Sequence, residues 1–172
     1  MKCDLKKQQG FSLIELLIVV VTLGIIAAIA VPNMLAARRS ANEGSAISAL
    51  RTLHGAQSTY QTSIGSGNYA GTNGSTGDTV GLAALTSAGL IDSVMGTGVK
   101  SSYNFSGAIT LSSPTTPATF FFSANPVSVS GITQSGTKRF CVTQQGFIGA
   151  DPANLGVVYN PTTAAAAPPL SY

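Results

Sequence analysis

An almost unbroken apolar run near the amino end constrains this chain more than any other feature. The run is GFSLIELLIVVVTLGIIAAIAVP, residues 10–32, and only Ser12, Glu15 and Thr22 interrupt it after Phe11. At about 1.5 Å per residue, roughly 20 helical residues span a bilayer core of about 30 Å. The run therefore predicts a helix that crosses a membrane, and the rest of the chain has to fold beyond it.

The acidic residue Glu15 lies inside this apolar run. A carboxylate costs roughly 2.5–3.5 kcal/mol at the centre of a bilayer and less near its edge. The presence of Glu15 in the run despite this cost indicates that its charge has a function, and it predicts a basic partner. An acid and an amine that neutralise each other inside an apolar bundle would fix its axial register, because either charge alone would be costly there.

The residues Gly10-Phe11-Ser12-Leu13-Ile14-Glu15, preceded by a Lys-rich leader, resemble the class III signal of type IV pilins and their secretion-system relatives. The resemblance implies that residues 1–10 are a leader, which a prepilin peptidase removes by cutting between Gly10 and Phe11. It also implies that the same enzyme methylates Phe11 and that Glu15 pairs with the amine of a neighbouring subunit. Gly10 suits the cut physically, because a residue without a side chain allows close approach to its backbone.

Two other interpretations of the apolar run remain open. An ordinary secretory signal peptide also combines a basic start with an apolar stretch, and Ala28-Ile29-Ala30 offers a suitable cleavage site. A plain membrane anchor with a chance acid is the second alternative. The run is longer than the roughly 7–15 apolar residues of a signal peptide, and a helical pattern continues past Ala30, so the pilin-type signal is favoured.

The helical pattern extends to about residue 63, which predicts one long helix over residues 11–63. Its first half is apolar all round, as expected of a membrane segment and then a filament core. Gly costs about 1 kcal/mol and Pro about 3 kcal/mol in a helix interior, so Gly24 and Pro32 predict a kink or, by the resemblance, local unwinding. The second half has an apolar stripe at helical spacing: Leu35, Ile47, Leu50, Leu53, Tyr60 and Ile64.

Residues 64–150 are predicted to form a globular head. A Gly-rich loop over 65–79 precedes a short helix over 80–91. Meandering strands that pack on one face of a helix give an α+β fold, here an antiparallel sheet on the long helix, and this order resembles the pilins. The strand-like runs are Ser102–Leu111, Ala118–Ala124 with the apolar core run Phe120-Phe121-Phe122, Lys138–Thr143, and a return through Phe147 and Ile148.

The carboxyl end, residues 151–172, is rich in Pro and Ala and is predicted to be an extended tail. Major pseudopilins of type II secretion often bind calcium near this end, as the resemblance implies. Asp151 stands there without other acids, whereas a hard cation wants 6–8 oxygen ligands. The sequence therefore predicts no metal and no cofactor, which favours a pilin over a major pseudopilin.

The cysteines and the charges are informative by position. Cys3 lies in the leader, so the processed chain keeps Cys141 alone and cannot close an internal disulfide. Cys141 is predicted to be buried and inert.

The leader carries +2 of the net charge of +3, so the basic balance does not indicate a nucleic-acid site. The pair Lys138-Arg139 is predicted to be solvated.

The sequence contains no arrangement of residues typical of an enzyme. The favoured function is a structural subunit, a type IV pilin in a helical filament of identical subunits that serves motility, adhesion or DNA uptake. One alternative is a pseudopilin of a type II secretion system. A second is a membrane-tethered binding domain that does not polymerise.

The resemblance also implies partners and a location. The partners are the prepilin peptidase and N-methyltransferase, an inner-membrane assembly platform and a cytoplasmic assembly ATPase. The prepilin would cross the bacterial inner membrane once with its amino end in the cytoplasm, as Lys2, Lys6 and Lys7 before the run favour. The assembled filament would lie at the cell surface.

Overall fold

The computed structural model describes residues 10–74, 77–153 and 155–170, so the predicted leader up to residue 9 lies outside the described residues. The chain divides into one compact unit that ends at Ala37 and a second that begins at Arg38. The elements are α1 (Leu13–Ser63), α2 (Val80–Ser87), α3 (Ser93–Gly96), β1 (Val99–Lys100), β2 (Tyr103–Thr110), β3 (Thr119–Pro126), β4 (Arg139–Thr143), β5 (Ile148–Asp151) and α4 (Pro161–Ala165).

The part of α1 before Ala37 exposes nearly all of its large apolar side chains. Among these exposed side chains, the exposed fractions range from 48% at Val19 to 80% at Leu13. Among the described residues, α1 is the one helix long and apolar enough to cross a membrane, with a mean hydropathy of 2.9 over its most apolar window. Gly24 and Pro32 both lie within the assigned bounds of α1, and the kink or unwinding there stays a prediction.

The second unit contains a five-stranded antiparallel sheet in the order β1-β2-β3-β4-β5. Each strand pairs with the next along the chain. Phe105 lies opposite Ala124 between β2 and β3, and Phe122 lies opposite Val142 between β3 and β4. This meander, with the second half of α1 packed on it, confirms the predicted α+β fold.

One face of the sheet packs on the second half of α1 and on α2. Side chains alternate between the faces of a strand, so Phe120 and Phe122 point to the same side. Leu50 and Leu53 of α1 are fully buried against this face. This helix-side core consists of Ala46, Ala49, Leu50, Leu53, Ala56, Ala70, Leu82, Leu85, Met95, Tyr103, Phe105, Ile109, Phe120, Phe122, Ala124, Phe140 and Val142.

The opposite face of the sheet is covered by the end of the chain. The prediction that residues 151–172 form an extended tail is wrong for the part that the structure describes. Residues 155–170 cross this face, and they include α4. They are held because apolar side chains on the second face need cover, which the sequence of the tail alone does not indicate. The resulting outer cluster consists of Ala108, Phe121, Cys141, Tyr159 and Ala164.

Other segments of the chain form backbone hydrogen bonds along both edges of the sheet. Beyond the short strand β1, residues 72–74 and 78 lie along the free edge of β2, where the Asp78 and Gly107 amides and carbonyls bond to each other. On the other side, the Ala150 amide donates to the Pro168 carbonyl, and the Leu170 amide donates to the Ile148 carbonyl. These bonds occupy backbone groups that would otherwise invite pairing with another chain.

Candidate processing and assembly site

The predicted cleavage bond lies in an exposed segment just before α1. Gly10 and Phe11 precede the first helical residue, Leu13, and both are exposed. A methyl group added at Gly10 would meet no atom within 4 Å. Backbone that is exposed and not held in a helix is the kind of segment a protease reaches. The cut between Gly10 and Phe11 and the methylation of Phe11 stay predictions.

Glu15 lies in the first turn of α1, where its carboxylate has a local partner. The Ser12 amide donates to Glu15 Oε2 over 3.0 Å. Ser12 occupies the N-cap position, so this bond satisfies one of the amides that the first turn of a helix leaves unpaired. The N-terminal end of a helix also favours a negative charge. The sequence argument missed this contact, which a Ser followed three residues later by a Glu does indicate.

The three predicted site residues Gly10, Phe11 and Glu15 therefore lie within one exposed stretch of six residues. Cleavage after Gly10 would create an amine on Phe11, one residue before the amide that Glu15 contacts. The stretch can bind a partner through one carboxylate and one amine. Its role in assembly stays a prediction.

Polar side chains on α1 tie the head to the helix, and the sequence argument missed all of them. Gln57 is fully buried, and its amide both donates to the Ala70 carbonyl (2.6 Å) and accepts from the Ala70 amide (2.8 Å). Glu43 Oε1 accepts bonds from the Thr137 amide and hydroxyl at 2.6 and 2.7 Å. These bonds fix loops that looked free in the sequence, because the partners are distant along the chain.

Arg139 is buried, so the prediction of a solvated Lys138-Arg139 pair is wrong for this residue. Its guanidinium donates to Asp151 Oδ2 over 2.7 Å from Nη2 and 3.1 Å from Nε, and to the Val157 carbonyl over 2.8 Å. The same group lies 4.1 Å above the centre of the Tyr159 ring. A buried guanidinium needs such partners, and the last part of the chain supplies them.

The titration of Asp151 and Cys141 follows from these surroundings. The Arg139 guanidinium, and then the Ala153 amide, hold the pKa of the Asp151 carboxyl below its ordinary value of 3.8. Asp151 is therefore an ion-pair partner of Arg139. Cys141 is buried, as predicted. Burial raises the pKa of its thiol to about 11, so the thiol stays protonated near neutral pH.

The ion pair predicts an acid-sensitive head. Because the folded pKa of Asp151 is depressed, the pair stabilises the head fully above the ordinary pKa and is lost as the pH falls through the folded pKa. We expect the urea midpoint of the head to fall between about pH 7 and about pH 3, and to fall less in Asp151→Asn. Asp78→Asn is the matched control, because its side-chain oxygen still accepts the bond from the Val80 amide. An equal loss in Asp151→Asn and the unaltered chain would contradict the prediction.

No group of three or more His, Cys, Asp or Glu side chains that could hold a metal ion occurs among the described residues. The groups that the amino end presents are the exposed apolar side chains of α1 and the Glu15 carboxylate. These groups suit association between chains in an apolar medium.

Comparisons with known proteins find similarity at the amino end of the chain. Residues 5–31 match the family described as the prokaryotic N-terminal methylation motif. The chain is 35% identical over 57 residues to "Type II secretion system core protein G" of Klebsiella pneumoniae, which covers 33% of this chain and 41% of the relative. It is 39% identical over 57 residues to the protein of the same name in Vibrio cholerae, covering 33% of this chain and 39% of the relative.

A pilus protein is similar as well. Over 39 residues the chain is 51% identical to "Type IV wide pilus major component PilA4" of Thermus thermophilus, covering 23% of this chain and 30% of the relative. No solved structure matches. The matched part thus spans less than half the length of these relatives. Residues 5–31 thus carry a prepilin-type methylation motif, and the amino-terminal third of the chain is similar to type IV pilus and type II secretion proteins.

Proposed function

We propose that this chain is a structural, non-enzymatic subunit of a helical filament, a type IV pilin of a pilus used in motility, adhesion or DNA uptake. The observation that carries the proposal is the exposed apolar surface of α1 before Ala37. That surface suits lipid before assembly and a bundle of identical helices afterwards. The similarity to the wide pilus component of Thermus thermophilus supports the pilus use.

The proposed life cycle begins with a prepilin that spans the bacterial inner membrane once, amino end in the cytoplasm. A prepilin peptidase would cut after Gly10 and methylate Phe11. An inner-membrane assembly platform and a cytoplasmic ATPase would then drive assembly, because lipid tails are as apolar as α1 and leaving them gains little energy. The filament would reach the cell surface.

A pseudopilin of a type II secretion system is the second candidate, and the two secretion relatives favour it. The engagement of Asp151 by Arg139 favours the pilin, because a paired carboxylate is not free for the calcium site that the resemblance implies for major pseudopilins. A tethered binding domain that does not polymerise is the third candidate.

Deletion of this chain distinguishes the three candidates. For a pilin, we expect electron microscopy to show surface filaments that vanish on deletion, and mass spectrometry of sheared filaments to find the subunit. Loss of secreted proteins without loss of surface filaments would favour the pseudopilin. Loss of neither would favour the tethered domain.

We expect Gly10→Val to leave uncut prepilin in the membrane. The added branched side chain obstructs the peptidase at a position where Gly leaves the backbone open. Intact-mass measurement of the membrane-bound chain reports the cut, which in the unaltered chain should leave N-methylated Phe11 as the first residue. Gly24→Ala is the matched control, because a methyl group there meets no atom within 4 Å. A mature chain that starts at Val31 would instead show an ordinary signal peptide.

A further inference from the structure

The end of the chain fastens to the outer face of the sheet through few, concentrated contacts. We propose that residues 155–170 form a strap that opens and closes as a unit while the sheet and the helix-side core stay folded. In this proposal Arg139 is the main fastening, and the open state uncovers Cys141 and the free edge of β5.

The main fastening joins three parts of the head through one side chain. Arg139, on β4, is only 8% exposed in its side chain. Its guanidinium binds Asp151 at the end of β5 and, within the strap, the Val157 carbonyl and the face of Tyr159. Because the donors of a guanidinium are fixed in one plane, loss of Arg139 would release all of these contacts together.

A second fastening lies on β3. Asn125 Nδ2 donates to the Leu155 carbonyl over 3.0 Å and to the Val157 carbonyl over 2.7 Å. The Tyr159 amide donates to Ser123 Oγ over 3.4 Å. These bonds run from strand side chains to the strap backbone, so breaking them leaves the bonds between β2, β3 and β4 intact.

The apolar contacts divide unequally between the two faces. Of the buried side chains described, seventeen form the helix-side core and only five form the outer cluster. The strap contributes two of those five, Tyr159 and Ala164, and its partly buried Ala167 and Leu170 pack against the outer cluster and the helix-side core. Segments with few buried apolar contacts open locally at a lower free-energy cost than the core does. The strap therefore meets the physical requirement for opening separately.

Two positions beneath the strap can be used to test its opening: Cys141, whose thiol becomes accessible, and Gly149, where an added side chain would push the strap away. Cys141 is 1% exposed, and its thiol lies 3.7 Å from the Ala164 carbonyl of α4. A methyl group added at Gly149 would lie 2.5 Å from the Ala167 methyl group and 2.9 Å from Cys141 Sγ. Contacts that short force a shift. Gly149→Ala is therefore a wedge that lifts the strap with Arg139 in place.

The closed strap also occupies the edge of β5. The Ala150 amide bonds to the Pro168 carbonyl, and the Ile148 carbonyl accepts from the Leu170 amide. Opening would leave these strand groups free to pair with another chain, as unpaired strand edges do. The strap thus acts as a lid against association through the sheet edge, a role separate from the proposed filament contacts of α1.

The test uses the full chain in detergent micelles with Cys3→Ser, which leaves Cys141 as the single thiol. Thiol labelling with 5,5′-dithiobis(2-nitrobenzoic acid) measures strap opening, and amide hydrogen exchange in β2 measures opening of the core. We expect Cys141 to be protected at least tenfold less than the β2 amides. Equal protection would overturn the proposal, because the strap would then open only when the whole head unfolds.

Variants of the two positions sharpen the test. We expect Arg139→Ala to speed labelling by about 100-fold, because it removes one partner of a buried charged pair, and to change β2 exchange by less than about tenfold. Gly149→Ala should speed labelling by about tenfold with Arg139 present. Lys138→Ala, an exposed neighbour, should change neither rate. If Arg139→Ala does not fold, the measurements on the parent chain and on Gly149→Ala still test the proposal. An equal rise in the labelling rate and in β2 exchange in Gly149→Ala would overturn it.

Discussion

Glu15→Ala should be cut after Gly10, stay folded in the membrane and fail to form filaments in cells that lack the unaltered subunit. Under the proposed function, the Glu15 carboxylate pairs with the Phe11 amine of a neighbouring subunit. An unpaired charge in an apolar bundle costs several kcal/mol, and about 1.4 kcal/mol corresponds to a tenfold change in an equilibrium. Counting surface filaments by electron microscopy should therefore show a loss of roughly 100-fold or more.

The bond from the Ser12 amide to Glu15 requires a matched control. Glu15→Gln keeps an oxygen that accepts this bond but removes the charge. We expect Glu15→Gln to fail in assembly almost as fully as Glu15→Ala, because the pairing needs a negative charge. Glu15→Asp should be intermediate, since its shorter side chain reaches the amine less well. The membrane level of each cleaved variant should match that of the unaltered chain.

The outcomes of this series separate two roles of Glu15. Normal assembly of Glu15→Gln with failure of Glu15→Ala would assign Glu15 to the local end of α1 instead of to a neighbouring subunit. Normal assembly of Glu15→Ala would contradict the pairing mechanism altogether. Neither outcome would alter the pilin-like fold or the match of residues 5–31 to the methylation motif.

Leu53→Ala should destabilise the head by about 2–5 kcal/mol. Leu53 is fully buried on the face of α1 that packs against the sheet. Truncation removes its contacts with the helix-side core and leaves a cavity that the surrounding strands fill only in part. Urea unfolding of the full chain in micelles measures the change. Tyrosine fluorescence is a suitable signal, because the five tyrosines all lie beyond Arg38 and the chain has no tryptophan.

Ile64→Ala is the matched control for this measurement. Ile64 follows the last residue of α1 and is 52% exposed. Its truncation should change the free energy of unfolding by less than about 0.5 kcal/mol. An unfolding curve of Leu53→Ala that coincides with that of Ile64→Ala would contradict the packing of α1 on the sheet.

Much of the architecture could be predicted because its signals are local. The apolar run and the helical pattern that continues beyond it predict the long helix α1. The helix ends at Ser63, where the sequence pattern places its end. The strand-like runs correspond to β2, β3, β4 and β5, since alternation and turns mark them in the sequence. The short elements α3 and β1 were not predicted, because four and two residues carry too little pattern.

The amino-terminal site is equally local. Gly10, Phe11 and Glu15 lie within six residues, so their order in the chain already places them together. The structure added only the Ser12 contact of Glu15. The methylation motif, the long helix and the order of the strands could therefore be predicted from local sequence patterns.

The contacts between residues that are far apart in the sequence depend on the tertiary structure. Arg139 looked solvated and residues 155–170 looked free, yet each buries the other on the outer face of the sheet. Gln57 likewise forms hydrogen bonds with Ala70 in the Gly-rich loop. No short pattern encodes such pairs, because a buried charge or amide is stable only after the fold has placed its partner beside it.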